Sequence, residues 1–502
     1  MPDNGLKFML LNLPAPSGRG ISRDYAGGFG IVGSAPDETL LPIHLLYGAS
    51  ALKNSGYEYD VLDAQAMNYG PSEVAEAVEK SQPDILISWV SLPAMQQDLE
   101  LLNEIKKTRP DTLLIALGTV CNVMPEEILR GGNVDLAIKG WFPYYNTISD
   151  LVNKLKAGSV NQDMFDKIRG AVYVKKDEIV QSPLNPTPED LNQLVFDVYR
   201  QLPIDKYRRK VPDANDTIVE CISIITSAGC PYSCIYCPYP LGYGRKIVHK
   251  SIKLIGDEIE FLKKNFDITG FSFRDQLFTH DHKRVMDLCD EIISRGLNIK
   301  WHVEARADEV NEELLTKMKE AGCFRIHYGV ETGSPELLRK IGKPGLSIEA
   351  IKRAFKLTKE LGMATTAHIM VGLPGEDQKT LNDTLNLLCE LNPDAVNVNL
   401  TTPYPGTRLF KMASEKGWIS TYDWSKYTSY NAIMGTGNLS LDEVYKARNE
   451  LRRKFQVFKL LHDPNYLRSY FKNLPRAMLT RLVSSLMSLG HNLQISPAMK
   501  RH

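Results

Sequence analysis

The hydrophobic positions of the chain form two series in which short apolar runs alternate with amphipathic stretches. The first series predicts strands at residues 8–13, 59–63, 84–90, 112–117 and 135–138, and helices at residues 43–54, 72–80, 95–107 and 144–156. Continuously apolar strands separated by helices are typical of a parallel sheet that is covered on both faces. We therefore expect a Rossmann-like domain over residues 1–156.

A proline-rich stretch separates the two series. Five prolines occur between residues 183 and 212, directly after a short hairpin pattern at residues 171–180. Helices and strands rarely contain prolines at this spacing. We interpret residues 157–216 as an interdomain linker with a small hairpin.

The second series predicts strands at residues 222–226, 270–274, 300–304, 325–330, 366–371 and 395–400, with helical segments between them. Six βα units joined by right-handed crossovers favour a partial (β/α)6 barrel over a second flat sheet. We place this barrel at residues 217–420 and a helical C-terminal region at residues 421–502. The predicted fold class is α/β.

Composition narrows the class of protein. A chain of 502 residues with 43% hydrophobic and 24% charged residues has the profile of a globular protein with more than one domain. The formal net charge of +0 gives no general attraction to nucleic acid. Neither a signal-like N-terminus nor an apolar run of membrane-spanning length is present, so we expect a cytoplasmic protein.

Three of the eight cysteines, Cys230, Cys234 and Cys237, crowd into a C-x3-C-x2-C pattern just after the first strand of the predicted barrel. Three thiolates can hold three irons of a [4Fe-4S] cluster and leave the fourth iron open for a substrate. The alternative, a zinc knuckle, needs a fourth ligand, and the next candidate, His249, lies twelve residues on. We interpret the remaining cysteines as packed thiols: Cys121, Cys221, Cys289, Cys323 and Cys389.

The stretch at residues 226–238, with Tyr236 just before the third cysteine, resembles the signature of the radical S-adenosylmethionine (SAM) superfamily. Later strand ends at residues 271–278, 301–308, 329–334, 371–376 and 402–407 resemble the same family in order. The resemblance implies that Asp275 receives the amino group of SAM. It also implies a set of contacts to the carboxylate, ribose and adenine of SAM: Glu304, Arg306, Glu331, Gly372 and Gly375.

The charges of SAM agree with these roles, because its ammonium and carboxylate groups need an anion and a fixed cation at strand ends. The candidate anions are Asp275, Glu304 and Glu331, and the candidate cation is Arg306. The simpler alternative for each charged residue is an ion pair or a strand-end cap. For Gly372 and Gly375 the alternative is a turn.

The first domain resembles the cobalamin-binding domain of the cobalamin-dependent (class B) radical SAM enzymes, through residues 41–52, 55–63, 118–119, 125–129 and 134–140. This implies cobalamin across the carboxyl ends of the strands, near Ser91, Thr119 and Gly140. Two departures are Trp141, where the family often has an acidic residue, and the lack of a histidine near Cys121. No D-x-H-x-x-G motif is present, so the lower axial position of cobalt has no obvious protein ligand.

A G-x-G-x-x-G pattern at residues 28–33 raises a nicotinamide dinucleotide as an alternative ligand. The fingerprint requires a strand directly before it and a helix that opens at its last glycine. Pro36 and Pro42 stand where that helix would lie. We expect this loop to close over whatever the sheet edge binds.

The resemblance implies methylation of an unactivated carbon of a small molecule, through a 5′-deoxyadenosyl radical and methylcobalamin, with electrons from a donor such as a flavodoxin or ferredoxin. Two alternatives stay open. One is a cyclisation or rearrangement that uses the same cofactors without methyl transfer, and the other is a non-catalytic cobalamin or iron-sulfur sensor. A methylthiotransferase is less favoured, because the first domain lacks a second set of cysteines.

Residues 451–502 carry ten Lys or Arg against one acid, with aromatic and aliphatic residues at helical intervals. Such a segment is either a helical cap on the barrel or a helix at a membrane surface. The second alternative predicts an apolar or amphiphilic substrate and a peripheral contact with the inner face of the membrane.

Overall fold

Two seven-stranded sheets carry the fold. The computed structural model describes residues 5–16, 20–33, 39–156, 162–343 and 345–472. The chain divides into two compact units, residues 1–448 and residues 449–502. Both sheets belong to the first unit.

The strands of the N-terminal part are β1 (Lys7–Asn12), β2 (Ile21–Ser22), β3 (Ile31–Val32), β4 (Glu58–Asp63), β5 (Ile85–Trp89), β6 (Leu113–Leu117), β7 (Leu136–Ile138), β8 (Ala171–Lys175) and β9 (Glu178–Gln181). Its helices are α1 (Ile43–Ser55), α2 (Pro71–Ser81), α3 (Met95–Thr108), α4 (Thr119–Val123), α5 (Pro125–Gly131), α6 (Tyr145–Lys156) and α7 (Gln162–Phe165). The sheet order is β4-β1-β5-β6-β7-β8-β9, and β1 and β4 to β7 are parallel. All five residues of β5 are buried, as a sheet covered on both faces requires. The expected Rossmann-like domain is therefore present.

The hairpin that we placed in the linker belongs to the first sheet. β8 pairs antiparallel with β7, and β9 pairs antiparallel with β8. Ala171, Val172 and Tyr173 are buried, so the hairpin extends the core of the first domain. Sequence pattern alone cannot show which sheet edge a hairpin joins.

The strands of the C-terminal part are β10 (Arg209–Pro212), β11 (Ile218–Ile224), β12 (Ser227–Ala228), β13 (Val248–His249), β14 (Gly270–Phe273), β15 (Lys300–Ala305), β16 (Cys323–Glu331), β17 (Ala364–Val371) and β18 (Ala395–Leu400). Its helices are α8 (Tyr239–Tyr243), α9 (Ile252–Phe266), α10 (His282–Ser294), α11 (Glu312–Glu320), α12 (Pro335–Lys340), α13 (Ile348–Glu360), α14 (Gln378–Leu391), α15 (Arg408–Glu415), α16 (Leu441–His462) and α17 (Pro464–Lys472). The sheet order is β10-β11-β14-β15-β16-β17-β18, with six parallel strands in chain order. β10 and β18 are its edges, so the sheet stays open as a partial barrel.

The core is continuous between the two sheets. One cluster of buried side chains contains residues of the first domain together with Tyr404, Tyr427 and Ile433 of the second. The ring of Phe29 stacks on that of Tyr404 at 5.3 Å between centroids. The two domains therefore share apolar packing within the first unit.

The C-terminal region is helical only from Leu441 onward. Residues 421–440 form loops around a short turn at Trp424–Lys426, and Ile419 bridges to Met434. Among the described residues, no helix is long and apolar enough to cross a membrane. Four of the ten basic residues counted above lie outside the described residues: Arg476, Arg481, Lys500 and Arg501.

A buried ion pair joins the first domain, the linker and the barrel. Lys250 Nζ lies 2.7 Å from Glu258 Oε2, and both side chains are almost fully buried. The Tyr199 hydroxyl donates to the other oxygen of Glu258 at 2.6 Å, and Lys250 Nζ lies 5.8 Å from the centroid of the Tyr47 ring. A buried charge is tolerated only when it is paired and hydrogen-bonded.

We expect Lys250→Met to lower the free energy of unfolding by about 3–5 kcal/mol, because the Glu258 carboxylate would stay buried without its cation. Urea unfolding followed by circular dichroism measures this. The double variant Lys250→Met, Glu258→Leu removes both charges and should recover most of the loss. A single variant as stable as the original protein would contradict the role given to this pair.

Candidate active site

The three cysteines lie on one loop that begins at the carboxyl end of the first barrel strand. The short strands β12 and β13 pair at the base of the loop, and α8 follows directly after Cys237. The Cys230 amide donates to the Gly244 carbonyl at 3.1 Å, and the Cys237 amide donates to the Cys234 carbonyl at 3.2 Å. Gly229 has a φ of +105°, and a Cβ there would lie 2.3 Å from the Lys246 carbonyl oxygen. The residue before the first cysteine must therefore be glycine.

The chemistry of the three thiols fits an iron-sulfur cluster. All three are free, burial raises the pKa of each, and neighbouring thiols raise the pKa of Cys230 and Cys237 further. Within the described part of the chain, no three His, Cys, Asp or Glu side chains are grouped to hold one metal ion. A [4Fe-4S] cubane takes one thiolate at each of three separate irons, so three thiols on one loop suffice to hold it.

Two cations stand beside this loop. Burial raises the pKa of Cys234, and Lys343 and Arg306 oppose that rise. Lys343 Nζ lies 2.5 Å from Glu331 Oε1 and donates to the Gly329 carbonyl at 3.2 Å. The Tyr236 hydroxyl also interacts with Glu331. Sequence reasoning found Glu331 and Tyr236 but missed Lys343, whose only signal is its place in a glycine-flanked turn.

Arg306, at the end of β15, is held in place. Its Nη2 lies 2.7 Å from Asp308 Oδ2, and its guanidinium lies 4.2 Å from the centroid of the Tyr232 ring. The electrostatic influence of Arg306 reaches both Cys230 and Cys234. The predicted fixed cation therefore lies beside the cysteine loop, and its contact with the carboxylate of SAM stays a prediction.

Asp275 is hydrogen-bonded to the start of the cysteine loop. Its two carboxylate oxygens accept the Thr226 amide at 2.7 Å, the Ser227 hydroxyl at 2.7 Å and the Thr226 hydroxyl. The residue is 1% exposed. Asp275 thus fixes the start of the cysteine loop to the end of β14, and its contact with the amino group of SAM stays a prediction.

Gly372 and Gly375 form a turn after β17, with φ values of +94° and +84°. The Gly372 amide donates to Glu376 Oε2 at 2.5 Å, and burial raises the pKa of Glu376 to about 8. A Cβ on Gly375 would lie 2.2 Å from Lys340 Nζ. Close packing explains both glycines, and their contact with adenine stays a prediction.

The inner face of the barrel sheet is polar. Buried apolar residues alternate along β15 to β18 with less buried ones that face the other side of the sheet. The inward positions carry one apolar residue, Met370, among polar ones: His302, Glu304, His327, His368, Asn397 and Asn399. His327 Nε2 lies 3.2 Å from His302 Nδ1, and the ring centroids of His327 and His368 are 5.8 Å apart. Glu304 is exposed to this space.

The loop between β1 and α1 connects the first domain to the cysteine loop. A Cβ on Gly27 would lie 2.5 Å from the carbonyl carbon of Pro238, directly after the third cysteine. The Phe142 amide donates to the Gly242 carbonyl at 2.8 Å, and the Asn122 side chain donates to the Leu241 carbonyl at 2.8 Å. Helix α8 therefore lies against the carboxyl edge of the first sheet.

The G-x-G-x-x-G pattern is part of this connection. Residues 26–28 form a short turn, and β2 and β3 pair as a hairpin around it. Gly28, the first glycine of the pattern, thus ends a short turn and does not directly follow a strand, so the local structure lacks the strand that must precede a dinucleotide fingerprint.

Ser91, Thr119 and Gly140 do meet at the carboxyl edge of the first sheet. Ser91 Oγ accepts from Arg23 at 2.8 Å, and the Thr119 hydroxyl donates to the Gly27 carbonyl. Gly140 donates to the Asn122 side chain at 3.0 Å and accepts from it at 2.9 Å. Protein partners thus satisfy all three, and their contacts with cobalamin stay predictions.

A small cavity of about 10 Å³ lies at the same edge. Its lining consists of Arg23, Asp24, Gly28, His44, Trp89, Val90, Gly118, Phe142 and Tyr144. His44 Nε2 and Trp89 Nε1 are buried and have no hydrogen-bond partner among the described residues. Two unpaired polar atoms therefore lie at the edge where parallel sheets bind their ligands.

Two sequence families match the two domains. The Radical SAM superfamily matches residues 224–388, and the B12 binding domain matches residues 31–145. The first match contains the cysteine loop, and the second contains the cavity-lining residues His44, Trp89 and Tyr144.

Two relatives align over most of the chain. An uncharacterized methyltransferase of Pyrococcus horikoshii is 27% identical over 424 residues, which cover 84% of this chain and 88% of that protein. An anaerobic magnesium-protoporphyrin IX monomethyl ester cyclase of Rubrivivax gelatinosus is 27% identical over 454 residues, which cover 88% of this chain and 77% of that protein.

The fold also matches a solved structure. OxsB, a cobalamin-dependent S-adenosylmethionine radical enzyme with aqua-cobalamin and SAM bound, aligns with a TM-score of 0.71 and 17% identity, over 96% of this chain and 71% of that chain. The fold of both domains is thus matched. The chain belongs to the cobalamin-dependent (class B) radical SAM family.

Proposed function

We propose that this enzyme methylates an unactivated carbon of a small molecule, with a [4Fe-4S] cluster, SAM and cobalamin as cofactors. The observation that carries this proposal is the packing of α8 against the carboxyl edge of the first sheet, because it brings the cysteine loop and the B12 binding domain to one place. A relative named as a methyltransferase supports the same reading.

When bound, the cluster and SAM supply a hydrogen-abstracting radical, and cobalamin supplies a transferable methyl group. Cys230, Cys234 and Cys237 hold the cluster. Lys343 and Arg306 place positive charge beside these thiolates, and Arg306 is the cation best placed to hold the carboxylate of SAM. The electrons come from a small redox protein such as a flavodoxin or ferredoxin.

The polar inner face of the barrel favours a substrate with hydrogen-bonding groups. Three histidines, two asparagines and Glu304 line this face. Burial lowers the pKa of His302 to about 3, with Arg209 and Arg325 acting in the same direction, so this ring is neutral at pH 7. A neutral imidazole both donates and accepts one hydrogen bond. We therefore propose a substrate with hydrogen-bonding groups in place of the apolar substrate that the C-terminal segment suggested.

Membrane contact through the C-terminal region is not part of this proposal. In the described portion of that segment, Leu451, Phe455 and Leu460 are buried, so these apolar side chains do not form a surface for lipid. The peripheral contact stays a prediction.

A cyclisation without methyl transfer is the second candidate, because one relative is named as an anaerobic cyclase. The deciding experiment is anaerobic incubation of the reconstituted enzyme with reductant, cobalamin, extract of the source cells and SAM with a trideuterated methyl group. We expect a small molecule that has gained the three deuterons by mass spectrometry. A product without added carbon would favour the cyclase, and absence of SAM cleavage would favour the sensor.

Replacement of Cys230, Cys234 or Cys237 by Ala should abolish formation of 5′-deoxyadenosine, because two thiolates cannot retain the cluster. Iron content and chromatography of SAM products measure this. Cys389→Ala is the matched control, since this thiol lies on α14 away from the loop, and it should keep full iron loading. Retained SAM cleavage in any of the three variants would refute the ligand assignment.

His302 should make the enzyme less stable in acid. Its folded pKa of about 3 lies below the unfolded value of about 6.5. Between these values the unfolded chain binds a proton that the fold excludes, so His302 lowers the free energy of unfolding by about 1.4 kcal/mol for each unit of pH decrease. His302→Asn removes this contribution, so the stability difference between original and variant should change with that slope from pH 6.5 to pH 5 in urea unfolding. A pH-independent difference would show that His302 titrates normally in the fold.

A further inference from the structure

Acidic residues are missing from the cysteine loop and from the two segments that contact it. Residues 226–249, 337–343 and 395–411 contain seven Lys or Arg and no Asp or Glu, although the whole chain has 60 basic and 60 acidic residues. Six of the seven cations are exposed to solvent, and we call them the basic surface: Arg245, Lys246, Arg339, Lys340, Arg408 and Lys411.

Hydrogen bonds bring the three segments together at the loop. The Ile235 amide donates to the Ile341 carbonyl at 2.9 Å, and the Ile235 carbonyl accepts the Leu409 amide at 2.9 Å. Arg245 donates to the Tyr232 carbonyl at 3.4 Å. Helix α12 therefore ends beside the cysteine loop and α15 begins beside it, so the basic surface surrounds the cysteines.

Few carboxylates neutralise the basic surface. Within the described part of the chain, Lys411 forms a long ion pair with Glu415 at 3.9 Å, and the other five cations have no carboxylate within 4 Å. Glu309, which lies beside the loop, accepts the Tyr232 hydroxyl at 2.7 Å. Helix α12 carries one exposed acid, Glu336, against two exposed cations. Positive charge therefore prevails around the loop.

The cysteine loop itself reaches this surface. Pro231 and Ser233 are exposed, and Cys234 and Cys237 are partly exposed. A cluster held by these thiols lies close to solvent at the centre of the basic surface. Because the rate of electron transfer falls steeply with distance, a protein that reduces the cluster must dock where the cluster is nearest to the surface.

Resting on the proposed function, which assigns a cluster to these thiols, we propose that the basic surface is the docking site of a small acidic redox protein. One electron leaves the reduced donor, which is thereby oxidised, and enters the cluster. The same electron then breaks the bond between the sulfur and the 5′ carbon of SAM, which gives methionine and the 5′-deoxyadenosyl radical. Opposite charges steer such an encounter and fix its orientation.

The composition of the surface fits a short-lived complex. Electron-transfer encounters bury less than about 1,200 Å² in total, so charge contributes more to their selectivity than apolar area does. Among the described residues, none of the large exposed apolar side chains lies in the three segments. The surface therefore offers cations without an apolar patch, which suits a donor that must leave after each electron.

The test measures binding of the full-length holoenzyme to an acidic flavodoxin and an acidic ferredoxin, both oxidised, by surface plasmon resonance. We expect the triple variant Lys246→Glu, Arg339→Glu, Arg408→Glu to bind about tenfold or more weakly than the original protein, because like charges then face the donor. Added salt should weaken binding to the original protein and have little effect on the variant. Lys107→Glu is the matched control, since this exposed cation lies in the last turn of α3, at the amino edge of the first sheet.

SAM cleavage with two reductants gives a second measurement. With the reduced flavodoxin, the triple variant should form 5′-deoxyadenosine about tenfold or more slowly than the original protein, because fewer encounters orient the donor. With photoreduced 5-deazariboflavin, a small neutral reductant that needs no docking site, both proteins should cleave SAM at the same rate. Equal rates with the small reductant also show that the triple variant is folded.

The outcomes separate this docking site from the proposed function. Equal binding by the original protein and the triple variant, binding of neither donor, or an oligonucleotide bound as tightly as the donors overturns the docking site alone. No SAM cleavage by the original protein with photoreduced 5-deazariboflavin overturns the proposed function. If the triple variant does not fold, the single variants Lys246→Gln and Arg339→Gln decide the question, because each should weaken binding of the donor.

Discussion

A backbone contact at two glycines, Gly27 and Gly242, places the cysteine loop against the carboxyl edge of the first sheet. A Cβ on Gly242 would lie 2.0 Å from the Gly27 carbonyl oxygen, and a Cβ on Gly27 would lie 2.5 Å from the Pro238 carbonyl carbon. Backbone therefore touches backbone between α8 and the loop that follows β1. Any larger side chain at either position would separate the cysteine loop from the edge of the first sheet. Since both parallel sheets present their ligands at carboxyl ends, this contact determines whether those ligands can meet.

Buried charges along the same seam are paired. Arg23 contacts both oxygens of Asp98, and Lys250 pairs with Glu258. Burial of an ion pair contributes little net stability, but separation of its partners is costly. Such pairs penalise other relative positions of the surrounding elements, because a shifted element would leave a charge without its partner. The charges therefore specify the geometry, and the apolar core supplies the stability.

The strands were predictable because their apolar runs are long and their period is clear, and β18 was placed at its observed bounds. The cysteine loop was predictable because its chemistry is local in the sequence. The hydrogen bonds of Asp275 to the start of this loop were not predictable, since an acidic residue at a strand end can face a ligand or a neighbouring loop. The contacts of Lys343 with the cysteine loop and of Asp24 with His44 join residues that are distant in the chain. No periodicity or spacing reports such contacts.

The two kinds of polar group at the sheet edge affect ligand binding differently. Thr119 and Gly140 already have protein partners, so a ligand that bonds to them exchanges one hydrogen bond for another and gains little. His44 Nε2 and Trp89 Nε1 have none among the described residues, and an unsatisfied buried group costs about 1–3 kcal/mol. A ligand that reaches these two atoms recovers that cost without breaking an existing bond. A group that does so must fit a space of about 10 Å³, and the contacts of Ser91, Thr119 and Gly140 with cobalamin stay predictions.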